Sequence, residues 1–546
     1  MSAESLTFLG AARTVTGSKY LLQLGERRIL IDAGMFQGEK QWRLRNWEDF
    51  PVPPDTLTDI VLTHAHMDHC GYLPALVKNG FDGPVWCTAG TAALAAIVLR
   101  DSGFLAEREA RDAAAGGWSK HTPPLPIYTS ADVERTLPLL HPVDFDTRVD
   151  LGEGVGVVFT RAGHVLGSAS VTVRTPHTSI VFSGDLGRHD HPVLRPRDKP
   201  PGADYVVMES TYGDREHPEP ANLAHEALAD AIRRTAARAG SVLIPAFAID
   251  RTEVVLRTLA QLRADGRIPA YLPIYVNSPM ATAALEVYRR ATAELRPDID
   301  IGEFTRMDNV HLVASAEESM ALTAGRHRDP CIVISSSGMV NGGRVLHHLE
   351  RMLPDARNTI VLTGYQAVGT RGRALMEGAT QLKMHGKYLP VRAEIVADQE
   401  FSVHGDASDL IDWVRELDPQ PITVFVTHGE EKAAEQFAKR LQRELELTAV
   451  VPAYGERVAL DARAPDAGVV ASPRASAVTN AQALVEAHAS AVGATTSSAV
   501  AALDRQLPRV DGLDGARIES DLTVHADTPE TITLTGTITI RLRGDG

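Results

Sequence analysis

Apolar residues along this chain fall into two rhythms, and the change between them divides it. In the first, short β-rich runs end at glycine. Residues 6–9, 19–24 and 28–31 read as strands, with turns at Gly10, Gly17 and Gly25. Further strands are predicted at 60–63, 155–159, 179–182 and 205–208, interrupted by an alanine-rich helix over 91–115. The second rhythm alternates strand and helix. Helices are predicted at 222–239, stopped by Gly240, at 251–264 (Val254, Val255, Leu259 and Leu262 at helical spacing), at 281–295 and at 343–352. Strands at 241–244, 272–276, 331–334 and 359–362 alternate with them. Such alternation builds right-handed βαβ units on a doubly wound parallel sheet, so residues 213–388 are expected to form one α/β domain. β character returns at 391–396 and 422–426, read here as the completion of the first domain. The expected organisation is one domain in two parts, 1–212 and 389–462, with 213–388 inserted, and a C-terminal extension over 463–546. In that extension, 463–476 (ARAPDAGVVASPRA) reads as a linker and 481–502 as a helix. A hairpin follows, with Ile532, Leu534, Ile538, Ile540 and Leu542 on one face. The apolar face calls for cover, from the body or from a second copy in a homodimer.

Length and composition narrow the class. A chain of 546 residues exceeds one core, so two or three domains are expected. Its 44% hydrophobic and 23% charged residues are ordinary for a soluble globular protein. Three cysteines, Cys70, Cys87 and Cys331, make no disulfide framework, which fits a reducing cytoplasm. No apolar run reaches the ~18 residues of a membrane span. The N-terminus shows no basic-then-apolar leader, so no membrane partner is expected. The net charge of −15 argues against a protein that coats nucleic acid, but not against an enzyme that gathers phosphates in a small basic cleft.

The densest chemistry lies in residues 60–71, IVLTHAHMDHCG. His64, His66, Asp68 and His69 offer imidazole and carboxylate groups that suit zinc and similar metals. Two ligands two residues apart in an extended loop can share one ion, and Asp68 with His69 can serve a second. Asp32, delivered by a strand into a DAG turn, is placed to hold a ligating imidazole by its other ring nitrogen. His164 stands in AGHVLGS at a strand end, and Asp185 in SGD, where a carboxylate can bridge two ions. Glu209 ends another strand, and His404 (FSVHGD) and His428 (THGE) lie far along the chain. Loops expected beyond the carboxyl ends of the inserted strands carry Ser335, Ser336, Ser337 and Gly338, then Arg344, then Gly369, Thr370, Arg371 and Arg373. Backbone N–H groups at helix starts attract anions and arginine forks match phosphate oxygens, so this edge is expected to form a phosphodiester-binding cleft.

In this order, DAG, HxHxDH, GHxxGS and SGD resemble the motifs of the metallo-β-lactamase superfamily. The insertion between SGD and the final histidines resembles its β-CASP branch, whose members are nucleases. SSSGMVNGGR, TGYQAVGTRGR and FSVHGD look like segments of RNA-processing ribonucleases similar to the cleavage and polyadenylation endonuclease subunit. The likeness covers about residues 5 to 460. It implies an αββα sandwich with an inserted β-CASP domain and two Zn2+ ions per chain. His64, His66 and His164 would hold one ion, Asp68, His69 and His428 the other, with Asp185 between them. It also implies a general acid, His404, oriented by Glu209, so that Asp32, Asp68, Asp185, Glu209 and His404 form the catalytic set. The implied substrate is single-stranded RNA, cut internally to leave 5′-phosphate and 3′-hydroxyl ends. One position departs: the branch's PxFAxGR pattern reads PAFAIDR, with Asp250 for glycine. A carboxylate in a phosphate path would repel substrate, so Asp250 is expected to turn away. Three alternatives compete. A 5′-to-3′ exonuclease would use the same constellation, a thioesterase or lactonase would leave the insertion without a role, and a non-catalytic RNA-binding scaffold would usually lack ligands that are all present here.

Overall fold

The computed structural model describes residues 4–117, 122–217, 225–324, 330–384 and 386–460, together with the backbone of two further strands, Arg517–Thr528 and Thr531–Arg541. Two seven-stranded sheets lie face to face. The first runs in the order Arg457–Ala459, Ser5–Phe8, Tyr20–Leu24, Arg27–Ile31, Asp59–Val61, Val85–Thr88, Leu140–Val143. The second runs Thr448–Val450, Thr423–Val426, Tyr205–Met208, Ser179–Phe182, Ala169–Arg174, Val155–Arg161, Val149–Gly152. Alternate side chains from both fill the space between them: Leu6, Phe8, Leu22, Ile29 and Ile31 meet Phe159, Val171 and Phe182. Burying each such side chain is worth ~1.5–3 kcal/mol, which is why the strand alternation fixes which face turns inward. Leu21 and Leu30, one residue out of phase, point to the outer face. Helices Leu73–Lys78 and Ala89–Gly116 cover that face, and Ala407–Arg415 with Glu431–Leu445 cover the other sheet. Ala89–Gly116 is long and apolar enough to cross a membrane by length and composition. Its Leu94, Ala95, Val98 and Leu99 are buried in the core beneath the outer face of the first sheet.

The chain leaves the second sheet after Tyr205–Met208 and re-enters directly beside that strand at Thr423–Val426. What lies between includes a six-stranded parallel sheet, Val310–Leu312, Ile274–Val276, Ile332–Ser335, Val242–Pro245, Thr359–Thr363, Glu394–Asp398. Helices Arg251–Ala264 and Pro279–Arg290 pack on one face and Arg344–Met352 on the other, so the sheet is doubly wound. Its last strand is a correction to the sequence reading. β character near 391–396 was expected to rejoin the first domain, yet Glu394–Asp398 pairs in parallel with Thr359–Thr363 in the inserted sheet. A short apolar strand carries no mark of which sheet it joins; the partner is chosen by tertiary packing.

Residues 464–546 form a unit apart from Met1–Arg463. In it, Arg517–Thr528 and Thr531–Arg541 pair as an antiparallel hairpin. The expected linker over 463–476 and helix over 481–502 lie outside the described residues.

Candidate metal centre and active site

Six strand ends converge on one point. Strand Arg27–Ile31 ends at Asp32, whose backbone sits in the left-handed region at φ 58°. That turn aims the carboxylate at the neighbouring strand end. Oδ1 accepts from the Thr63 backbone N–H at 2.8 Å and Oδ2 from the Thr63 hydroxyl at 2.9 Å, while His69 Nδ1 lies 2.7 Å from Oδ2. With Nδ1 held, Nε2 of His69 is left to face a metal. Gly34, two residues on, has no room for a side chain: a Cβ there would lie 1.7 Å from the Asp68 carbonyl oxygen. The DAG turn is therefore packed backbone to backbone against the metal loop.

Two ligand sets follow. His64, His66, His164 and Asp185 turn one ligand atom each into a common space, and Asp68, His69 and His428 do the same beside it. In the first set the inward atoms are His64 Nε2, His66 Nδ1 and His164 Nε2. They lie 3.1 Å (64 to 66) and 3.3 Å (66 to 164) apart, and Asp185 Oδ2 is 3.6–3.7 Å from the Nε2 atoms of His164 and His64. Edges of about 3.3 Å are those of a tetrahedron whose corners each lie ~2.0–2.1 Å from a zinc ion. In the second set His69 Nε2 lies 3.1 Å from His428 Nε2, which is 3.6 Å from Asp68 Oδ2. Asp185 turns Oδ1 toward this set, 3.3 Å from His69 Nε2. That oxygen is buried and receives no hydrogen bond. A buried carboxylate oxygen without a donor, between two sets of facing imidazole nitrogens, fits cations and little else.

Electrostatics favour neutral ligands in the first set. Burial, reinforced by neighbouring histidines, pushes the His64 and His164 imidazoles well below their usual range, which keeps them neutral and their lone pairs free. Burial alone would raise the Asp185 carboxyl, but the attraction of His428 and His69 holds it well below the usual carboxylate range, and Asp185 in turn pushes both of those imidazoles up against the effect of burial.

The loop that carries His164 is held from both domains. Ser168 Oγ accepts from the backbone N–H groups of His164 and Val165 at 2.9 and 3.2 Å. The hydroxyls of Thr88 and Thr91 donate to the Gly167 carbonyl. Gly167 sits at φ 80° with its α-carbon against Gly90, too close for any Cβ. From the inserted domain, the Tyr288 hydroxyl accepts from Leu166 N–H at 3.2 Å and Glu294 accepts from Gly167 N–H at 2.8 Å.

His404 lies on the same floor. Its ring is 4.3 Å from that of His164, and its Nδ1 is 3.5 Å from Glu209 Oε2. Glu209 is fixed in turn by the Leu186 N–H, which donates to Oε1 at 2.6 Å. Hydrogen bonds from Gly405 N–H to the Leu186 carbonyl and from Arg188 N–H to the Val403 carbonyl tie the His404 segment to the one that follows Asp185. A cleft of about 610 Å³ opens over these groups. Its far wall comes from the inserted domain and includes Phe247, Ser336, Ser337, Met339, Tyr365 and Thr370.

The structure thus brings together Asp32, His64, His66, Asp68, His69, His164, Asp185, Glu209, His404 and His428. It does not bring the arginines to the cleft, which corrects the sequence reading. Arg344 donates to Asn277 Oδ1 and to the carbonyls of Val313 and Ala314, and Arg371 to those of Lys383, Val340 and Asn341. Arg373 pairs with Glu377 one helical turn away. Their forks tie loops together. Of the neighbouring candidates, Ser336, Ser337 and Thr370 line the cleft. Ser335 is buried and donates to the Asn277 carbonyl, Gly338 lies under Phe247, and Gly369 is in a left-handed turn against Glu39. Asp250 borders the cleft, but its carboxylate is occupied by His191 Nε2 at 3.2 Å and by the Tyr288 hydroxyl at 3.1 Å. The sequence reading did not find Thr63, Tyr288 or Thr211, whose hydroxyl lies 3.1 Å from His428 Nδ1; the two threonines neighbour named residues, while Tyr288 sits in an ordinary helix with no local signature.

Comparisons with known proteins agree with this geometry. Residues 13–246 match the metallo-beta-lactamase superfamily, 252–375 the Beta-Casp domain and 388–452 the Zn-dependent metallo-hydrolase RNA specificity domain. The chain belongs to the β-CASP metallo-β-lactamase family and is a metal-dependent hydrolase. Ribonuclease TTHA0252 of Thermus thermophilus is 36% identical over 78% of this chain and 92% of its own length. The transcription termination factor FttA of Methanosarcina mazei is 32% identical over 81% of this chain and 69% of its own. An RNase J-like protein of Methanocaldococcus jannaschii is 30% identical over 82% and 98%.

Proposed function

We propose that this protein hydrolyses phosphodiester bonds within single-stranded RNA, using two zinc ions and leaving 5′-phosphate and 3′-hydroxyl ends. The observation that carries the reading is Asp185, which turns one carboxylate oxygen to each ligand set, with His404 and Glu209 on the same floor. Zinc ions bound there would supply Lewis acidity toward a phosphoryl oxygen and lower the pKa of water to ~7. The remaining work belongs to the side chains. The breaking P–O bond leaves a 3′-oxygen that needs a proton, and His404 is the donor within the cleft. Glu209 Oε2 faces Nδ1 at 3.5 Å, which leaves the ring's other nitrogen to meet the leaving oxygen. The hydroxyls of Ser336 and Ser337 offer hydrogen bonds to the strand, and Phe247 and Tyr365 offer ring faces to its bases. A cleft of this width between two domains admits a single strand more readily than a duplex.

The test pairs elemental analysis with cleavage of a 5′-labelled single-stranded RNA, for the natural protein and His404→Ala. We expect two zincs in both, internal fragments from the natural protein, and a loss of ~10²–10⁴ in rate for the variant. Release of mononucleotide alone would make the enzyme an exonuclease. Full zinc content with no cleavage of RNA would overturn the reading.

A further inference from the structure

A second cavity, of about 250 Å³, lies behind the segment that carries His404. Ser402 and Val403 line both this cavity and the reaction cleft, so one stretch of backbone is the wall between them. On the other side stands a single face of helix Arg251–Ala264, where Val254, Arg257, Thr258 and Gln261 recur at helical spacing. Arg188, Arg267 and Arg296 complete a lining in which, among the described residues, four guanidinium groups meet two carboxylates, Asp190 and Glu400. In a chain of net charge −15 this local excess is not a by-product of composition.

The existing partners leave it uncompensated. Arg188 pairs with Asp190 at 3.0 Å and donates to the carbonyls of Glu400 and Ser402. Arg296 pairs with Asp298, and Arg267 with Glu226, and neither of those carboxylates borders the cavity. Glu400 already accepts from the His225 N–H. Arg257, half-buried, makes no hydrogen bond or ion pair among the described residues; only the longer-range attraction of Asp298, itself paired with Arg296, reaches it. A guanidinium drawn partly out of water without an acceptor is costly, and its planar fork matches phosphate oxygens. Pro192, Leu262 and Phe401 supply an apolar surface beside it, against which a sugar or base can pack.

The geometry points to an anion subsite that takes a phosphate-bearing nucleotide group, held by Arg257 and flanked by Arg267 and Arg296. Two sources share that chemistry: a phosphodiester of an RNA strand that runs past the reaction cleft, or a free nucleotide. The first rests on the ribonuclease reading above and the second does not.

The test uses the zinc-loaded full chain with Arg257→Glu and the milder Arg257→Gln, each checked for unchanged metal content and melting. Adenosine 5′-monophosphate is titrated by calorimetry, and a labelled single-stranded RNA is bound in the His404→Ala background at several salt concentrations. We expect Arg257→Glu to weaken the bound probe about tenfold or more, as loss of hydrogen bonds to a charged group implies. Loss of adenosine monophosphate binding identifies a free nucleotide. Weaker RNA binding with a salt slope lower by about 1 identifies a strand phosphate. If neither probe's affinity changes more than about twofold in either variant, the subsite is overturned, even where RNA is still cleaved. Arg257-dependent binding of adenosine monophosphate by a protein that cleaves no RNA would leave the subsite standing and defeat the ribonuclease reading instead.

Discussion

Asp32 touches no substrate, yet the second ligand set depends on it. Replacing it by asparagine removes the carboxylate at His69 Nδ1 while keeping the volume and the bond from Thr63. Metal affinity of Asp32→Asn should fall 10–100-fold, measured by competition with a chelator. Lys19 yields a prediction of another kind. Buried under Phe36 and the carbonyls of Gly17 and Gly34, its ammonium is drawn by burial from 10.5 to about 7. The unfolded chain keeps that proton up to its ordinary value, so between those limits the unfolded state binds more protons and stability rises with pH. Thermal melting should therefore gain from neutral to alkaline pH in the natural protein, and Lys19→Met should lack that gain. At this scale the metal ligands were legible because HxHxDH places four of them within one loop and the remaining motifs each end a strand. The arginines were not. Whether Arg344 or Arg371 faces a cleft or a neighbour's carbonyl is settled by loops that meet only in three dimensions.

Elements show the same division. Apolar residues at helical spacing, Val254, Val255, Leu259 and Leu262, marked Arg251–Ala264 from end to end. Glu394–Asp398 was assigned to the wrong sheet because five residues hold no record of their neighbour. The contact between helix Pro279–Arg290 and the GHVLGS loop was equally invisible, since Tyr288 reads as a core residue. Tyr288→Phe should test it. The Leu166 N–H loses its acceptor and Asp250 loses a donor. We expect about 1 kcal/mol less stability in denaturant unfolding, with faster loss of metal to a chelator. Tyr288→Phe that unfolds earlier but holds metal as before would assign the residue to packing alone.

For the whole molecule, all the ligands, the general acid and both walls of the cleft lie within Met1–Arg463. A chain ending at Arg463 should keep its metal content and RNA cleavage, compared side by side with the full chain. RNA affinity should fall as salt rises, in proportion to the phosphates contacted.

The path of the chain through the two large sheets has a consequence in time. Strand Ser5–Phe8 is flanked by Arg457–Ala459, and Tyr205–Met208 by Thr423–Val426. The first half of the chain carries six of the seven ligands, but His404 and His428 leave the ribosome only after the whole insertion. Until then the nascent protein can gather metal ligands but holds no proton donor and an incomplete second set. On the proposed function, an enzyme that cuts RNA is thus inert until the insertion has been made, and becomes active only when the last strands close both sheets.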